Sequence, residues 1–155
     1  FILLILIPSF FSVISLIAGG FLADNLIKKK YQVIKVRKAV NSIGFFGSAF
    51  CLFLIPFQES HLFIISLLCA TNICTGIAAG GFGVNHADLG PKYTGALVGI
   101  AGSLGMTAAV IGPLIAGFIL DLTNSWTLIF HICSYMLIFG GIFYLFFSST
   151  DKQFD

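Results

Sequence analysis

Four neutral polar side chains lie deep inside otherwise apolar runs, where they could do chemistry. Asn72 and Thr75 stand three residues apart in the run 62–84, and Ser103 and Thr107 stand four apart in the run 94–120. Residues at such spacings share one face of a helix. Each lies at least about 9 residues from either end of its run, roughly 14 Å or more at about 1.5 Å per residue. That is the middle of a ~30 Å hydrocarbon layer. Hydroxyls and an amide at this depth can bond phosphate or carboxylate oxygens without the cost of a buried charge, and solutes crossing a membrane are held near its midplane. The local alternative is that Ser and Thr bond the carbonyl one turn back and Asn bonds a neighbouring helix. No Asp, Glu, Lys or Arg lies deep in any apolar run.

A second polar group is the string Asn85, His86, Asp88, Pro91, Lys92 and Tyr93, between two apolar runs. It reads as a short connection at a membrane surface. Pro91 suits the first turn of the helix that follows, where a missing N–H costs nothing. Asp88 is placed to cap that helix. A plain turn needs only Gly, Pro or Asn, so the ordered string asks for a further reason. His86 also reads as a loop hydrogen-bonder, His61 as an exposed loop residue and His131 as a boundary residue. Cys51, Cys69, Cys74 and Cys133 are scattered through apolar runs without metal-ligand spacing and read as small hydrophobes. Paired carboxylates and nucleophile–base pairs are absent from the sequence. Nothing calls for an enzyme, a cofactor, a metal or a nucleic-acid partner.

The elements that must carry these residues follow from composition. The chain has 155 residues, 58% hydrophobic and 9% charged, with mean hydropathy +1.05. A soluble domain carries about 25% charged residues, and a chain this small cannot hide so much apolar surface. It reads as an all-α integral membrane protein in contact with lipid, because backbone groups inside a bilayer must be satisfied within each segment. Five spans are expected, at about 2–23, 39–56, 62–84, 94–120 and 126–147. The chain opens on Phe1 inside an apolar run without the basic lead or cleavage site of a signal peptide, and so reads as part of a longer polypeptide. Lys28, Lys29, Lys30, Lys35, Arg37 and Lys38, six of the eight basic residues, fall in the first connection. The positive-inside rule puts that connection in the cytoplasm or its organellar equivalent, and alternation then puts Lys92 and Lys152 on the same side.

Packing signals differ along the chain. The first span ends on Ala18, Gly19 and Gly20, and the third carries Gly76 and Gly80 four apart. In the fourth, Gly95, Gly99, Gly102, Gly105, Ala109, Gly112 and Ala116 form a stripe of small residues. Such a stripe lets helices approach closely, so the fourth span is expected among other helices. The fifth, rich in Phe, Ile and Leu with Trp126 at its boundary, is expected to face lipid at the periphery.

Two motifs carry a family likeness. Gly20, Phe21, Leu22, Ala23 and Asp24, followed by Lys28 and Lys29, resemble the loop motif of the major facilitator superfamily, with Ile27 where a glycine is usual. Asn85, His86, Asp88, Pro91, Lys92, Tyr93 and Gly95 resemble the Asn-His-x-Asp-Ile-Ala-Pro-Arg-Tyr-x-Gly string of its anion:cation symporter family. That family includes sodium–phosphate transporters, sialin, vesicular glutamate transporters and plastid anion transporters. Leu89, Gly90 and Lys92 depart mildly from the string, and Gly102 stands where an asparagine is expected. Val36, Arg37 and Lys38, with Ser42, Ile43, Gly44 and Phe45, look closest to the plant-type members.

The resemblance covers the whole of 1–155 and aligns its spans with helices 8–12 of a twelve-helix carrier. It implies a secondary active transporter moving inorganic phosphate or organic anions by alternating access, coupled to Na+ or H+. The missing N-terminal helices would then be its partners and would supply the charged groups. It implies that Gly20, Asp24, Lys28, Lys29, Arg37 and the Asn85–Tyr93 string act in gating, with Asp24 meeting a helix N-terminus. The membrane could be the plasma membrane, a plastid membrane or that of another organelle. The other class of reading is a non-transporting membrane scaffold, or a truncated product that only binds other helices.

Overall fold

The computed structural model describes the backbone of residues 2–89 and 91–149, with the side chains of 2–6 and 84–91 outside that description. Five α-helices account for nearly all of it: α1 (Ile2–Lys28), α2 (Val33–Leu54), α3 (His61–Leu89), α4 (Thr94–Thr123) and α5 (Trp126–Phe147). Short 3-10 turns at Ile55–Phe57 and Pro91–Tyr93 follow α2 and precede α4. All five helices are long and apolar enough to cross a membrane. Large side chains such as Phe10, Phe21, Phe50, Leu104 and Phe146 are exposed along them. Water would not tolerate that surface and lipid does, so this is an integral, multi-pass membrane protein.

The helices are longer than the apolar runs because their ends reach past the hydrocarbon. α1 continues through Asp24 to Lys28, where a cation suits the negative end of the helix dipole. It closes with Lys29 N–H and Lys30 N–H bonded to Asn25 and Ile27 carbonyls at 3.2 and 2.9 Å. Lys30 holds φ 66. The second run looks short because α2 starts at Val33, inside the basic segment. The first connection therefore shrinks to residues 29–32, and Lys35, Arg37 and Lys38 ride on α2. At the other side of the bundle Asn124, a residue that tolerates left-handed backbone, ends α4 at φ 49, and Ser125 caps α5 by accepting from Leu128 N–H at 3.3 Å.

α3 is the centre. It lies between α1, which runs parallel to it, and α2, which runs antiparallel, and α2 in turn carries α5. A buried apolar core sits at the basic end, where Ala23, Val36 and Val40 are covered by Leu26, Ile27 and Ile77. α5 is not lipid-facing all round, contrary to its bulky composition. Ser134 is fully buried and donates to Ala49 O of α2 at 2.8 Å, and Gly141 lies against Phe45 and Phe46. A narrow strip of small residues was enough to dock it.

Candidate functional site

The backbone of α3 is reached closely from both sides. A Cβ added to Gly80 would stand 2.5 Å from both the carbonyl carbon and oxygen of Gly19 on α1. One added to Gly81 would stand 2.8 Å from Arg37 O and from Asn41 N on α2. Gly76 likewise sits against Ser15 and the backbone of Ser12. The Gly76/Gly80 pair is therefore the contact face of α3 toward α1, as its spacing foretold.

Arg37 uses this closeness. Its position in the second turn of α2 aims it at α3, and its Nη1 donates to Gly80 O at 2.9 Å with the residue 4% exposed. A hydrogen bond from a charged donor contributes about 1.5–3 kcal/mol. Arg37 is thus a buried strut between helices rather than a residue of the connection, a correction to its expected place. Gly20 arrives at the same spot from α1, its N 2.9 Å from the position of that added Gly80 Cβ. Two elements of the sequence motif converge on Gly80 from opposite sides.

The remaining motif residues do not gather so. Asp24 is exposed on the last turns of α1, Lys28 ends that helix and Lys29 follows it. Lys92 and Tyr93 are exposed in the 3-10 turn. Asn85, His86 and Asp88 belong to the last turns of α3 by their backbone, so the string is mostly helix and not connection. Their side chains, with that of Pro91, lie outside the described residues, as does Gly90. Pro91 opens the 3-10 turn instead of α4, and the N-cap position of α4 is Tyr93, which makes no side-chain cap bond. The reason is that α3 runs on to Leu89, which leaves Asp88 inside it.

The four mid-span polar residues each bond their own helix. Asn72 Nδ2 donates to Leu68 O at 2.9 Å, and Thr75 Oγ1 to Thr71 O and Asn72 O at 3.0 Å. Ser103 Oγ donates to Gly99 O at 2.8 Å and Thr107 Oγ1 to Ser103 O at 2.9 Å. Asn72 also touches α1, since its carbonyl accepts from Ser15 Oγ at 3.4 Å. Ser103 and Thr107 are exposed on α4, and Thr107 borders a cleft of about 740 Å³ between α4 and α5 lined by apolar groups such as Ile111, Ile132 and Met136. The structure pairs Asn72 with Thr75 and Ser103 with Thr107. It does not join the pairs: α4 makes few contacts with α3. None of the described residues of α4 is buried.

Sequence reasoning passed over Asn41, Ser48 and Ser134. Ser48 Oγ donates to Thr71 O at 3.2 Å, tying α2 to α3 as Ser134 ties α5 to α2. Interhelical bonds of this kind contribute about 0.6 kcal/mol on average in a membrane. The signal was present, since each is a polar residue inside an apolar run. His131 stacks on Phe53 with ring centroids 4.9 Å apart, near the start of α5, in keeping with a boundary position.

Comparison with known proteins places this architecture. The model of a family described as Major Facilitator Superfamily matches residues 1–154. The chain is 34% identical over 155 residues to probable anion transporter 7 of Oryza sativa subsp. japonica, covering 88% of the chain and 34% of that protein. It is 31% identical to the chloroplastic sodium-dependent phosphate transport protein 1 of Arabidopsis thaliana, covering 99% of the chain and 30% of that protein. It is 36% identical to vesicular glutamate transporter 3 of Danio rerio, covering 87% of the chain and 23% of that protein. The chain thus spans about a third or less of the length of these curated relatives.

Proposed function

The chain belongs to the major facilitator superfamily, and from that premise we propose that it supplies helices 8–12 of a secondary active transporter. The carrier moves inorganic phosphate or an organic anion by alternating access, driven by Na+ or H+. The observation that carries the reading is the breadth of the match. A protein named for sodium-dependent phosphate transport aligns with 99% of the chain, and a probable anion transporter with 88%. The test is uptake by the full-length carrier in liposomes. Radiolabelled phosphate, glutamate and ascorbate are offered under an inward Na+ gradient and under a proton gradient. At least one anion should accumulate under one gradient. Uptake of none of them above protein-free liposomes would refute the proposal.

Within that carrier, Asn72, Thr75, Ser103 and Thr107 border the solute path and orient the anion, while cationic groups elsewhere attract it. What supports this is their depth, and on α4 the separation of faces. The glycine stripe occupies one face and Ser103 with Thr107 another. A hydroxyl that bonds its own helix can swing its proton to an anion oxygen. A neutral hydrogen bond is worth about 0.5–1.5 kcal/mol. Ser103→Ala and Thr107→Val should therefore each raise the KM for uptake several-fold and leave the maximal rate nearly unchanged. Parental KM values with a lowered melting temperature would make both residues packing contacts.

Asp24, Lys28, Lys29 and the Asn85–Tyr93 string fit a gating role at the basic end of the bundle. Arg37 and Gly20, both against Gly80, would hold α3 fixed to α1 and α2 while the exposed members of the motif meet the other half of the carrier.

A further inference from the structure

Asn41 is 0% exposed, and neither its Nδ2 nor its Oδ1 has a hydrogen-bond partner among the described residues. Buried amides are rarely left so, because the lost hydration is not repaid. Two more orphans lie along the same α2–α5 seam. The α2–α5 register runs from Ala49 opposite Ser134 to Phe45 opposite Gly141. Continued by one turn, it sets Asn41 and Ser42 beside Tyr144, with Ser148 one turn further on. Ser42 Oγ and Ser148 Oγ are both buried without a partner. α3 closes the third side. Gly81 packs on Asn41, and Gly81 O accepts from Tyr144 Oη at a long 3.4 Å.

We propose that the junction of α2, α3 and α5 at Asn41 is a binding site for ordered water. The choice of ligand follows from the donors and acceptors. A cation would satisfy Asn41 Oδ1, leave Nδ2 stranded, and lie one helical turn from the Arg37 guanidinium. A monatomic anion would satisfy Nδ2 and leave Oδ1 stranded. Water donates and accepts, so one molecule serves both ends of the amide, and the hydroxyls of Ser42 and Ser148 give it or a second water further partners. Buried waters take about three such bonds each. The site makes Asn41 a positioning residue. It holds α2 and α5 around the Gly80–Gly81 backbone, one turn from the Arg37 strut. It stands apart from the transport reading and needs no substrate.

Hydroxyl-radical footprinting tests it, because radicals made from bound water oxidise the nearest aromatic ring. The full-length carrier in lipid nanodiscs is irradiated and its peptides are read by mass spectrometry. Tyr144, half-buried, should be oxidised faster than Phe46, which faces the apolar α2–α5 contact. In Asn41→Leu, Tyr144 oxidation should fall several-fold while that of exposed Trp126 stays unchanged. Tyr144 oxidation as slow as Phe46 in the parent protein overturns the proposal, and this comparison needs no variant to fold. So does fast oxidation that persists in Asn41→Leu.

Discussion

Gly80→Leu should separate α1 from α3 and cost the bundle much of its stability. The expectation is geometric. Even alanine would place its Cβ 2.5 Å from the carbonyl carbon and oxygen of Gly19. Those atoms belong to the backbone of another helix and cannot rotate aside as a side chain tip would. Overpacking usually costs about 1–3 kcal/mol, and Gly80→Ala belongs in that range. Leucine adds three more heavy atoms to the same contact. It should exceed the range, because α1 must move bodily. That movement also pulls at Arg37, whose partner is the Gly80 carbonyl. The measurement is thermal denaturation of the carrier in detergent, with Gly80→Ala and Gly80→Leu compared. A graded loss of melting temperature is expected, with leucine abolishing a folded, monodisperse species. If Gly80→Leu melts within about 1 °C of the parent, the change is worth no more than ~1 kcal/mol in a full-length carrier, and the close contact at Gly19 is not what holds α1.

Much of this bundle was legible before any coordinates, and what was not has a common physical cause. The number of helices followed from apolar runs alone, and α5 begins and ends at the expected residues, Trp126 and Phe147. Hydropathy marks where a helix meets lipid, however, and not where it stops. Thus α1, α2 and α3 each continue into segments rich in charge or polarity that a helix in water accepts. Arg37 shows the cost of that gap. By charge it belonged to a surface connection. By position it lies one turn from Val40 on a helix facing a glycine pair, and only the pairing of α2 with α3 reveals that the nearest acceptor is Gly80 O. The Gly76/Gly80 face was readable because close packing needs small residues at one fixed spacing. The docking strip of α5 was not, since Ser134 and Gly141 are two small residues in a helix otherwise full of large ones. At the candidate path, depth could be counted from the sequence, but partners could not. Each of the four residues bonds its own helix, as well suited to packing as to a solute.

Gly102→Leu in the full-length carrier should abolish most uptake, although this chain gives leucine nothing to strike. Gly95, Gly99, Gly102, Gly105, Gly112 and Gly117 of α4 each have no atom within 4 Å of an added Cβ, apart from near neighbours in their own helix. By the contacts of this chain, every one of them is free to grow. Yet glycine costs a helix up to about 1 kcal/mol per position relative to alanine, and an exposed helix in lipid gains nothing from it. Close approach by another helix is the physical return on so many glycines. On the proposed reading, that helix comes from the rest of the carrier, which in the curated relatives is about two thirds of the protein or more. Leucine at Gly102 would then push apart two helices whose backbones touch, as at Gly80. A loss of about 1.4 kcal/mol or more in the transport-competent packing lowers uptake roughly tenfold. Leu104→Phe, which enlarges an exposed side chain on neither the stripe nor the Ser103/Thr107 face, should leave uptake near the parental level and serves as the control. Parental uptake and melting temperature in Gly102→Leu would mean that this face of α4 meets lipid. The stripe would then owe nothing to the rest of a carrier.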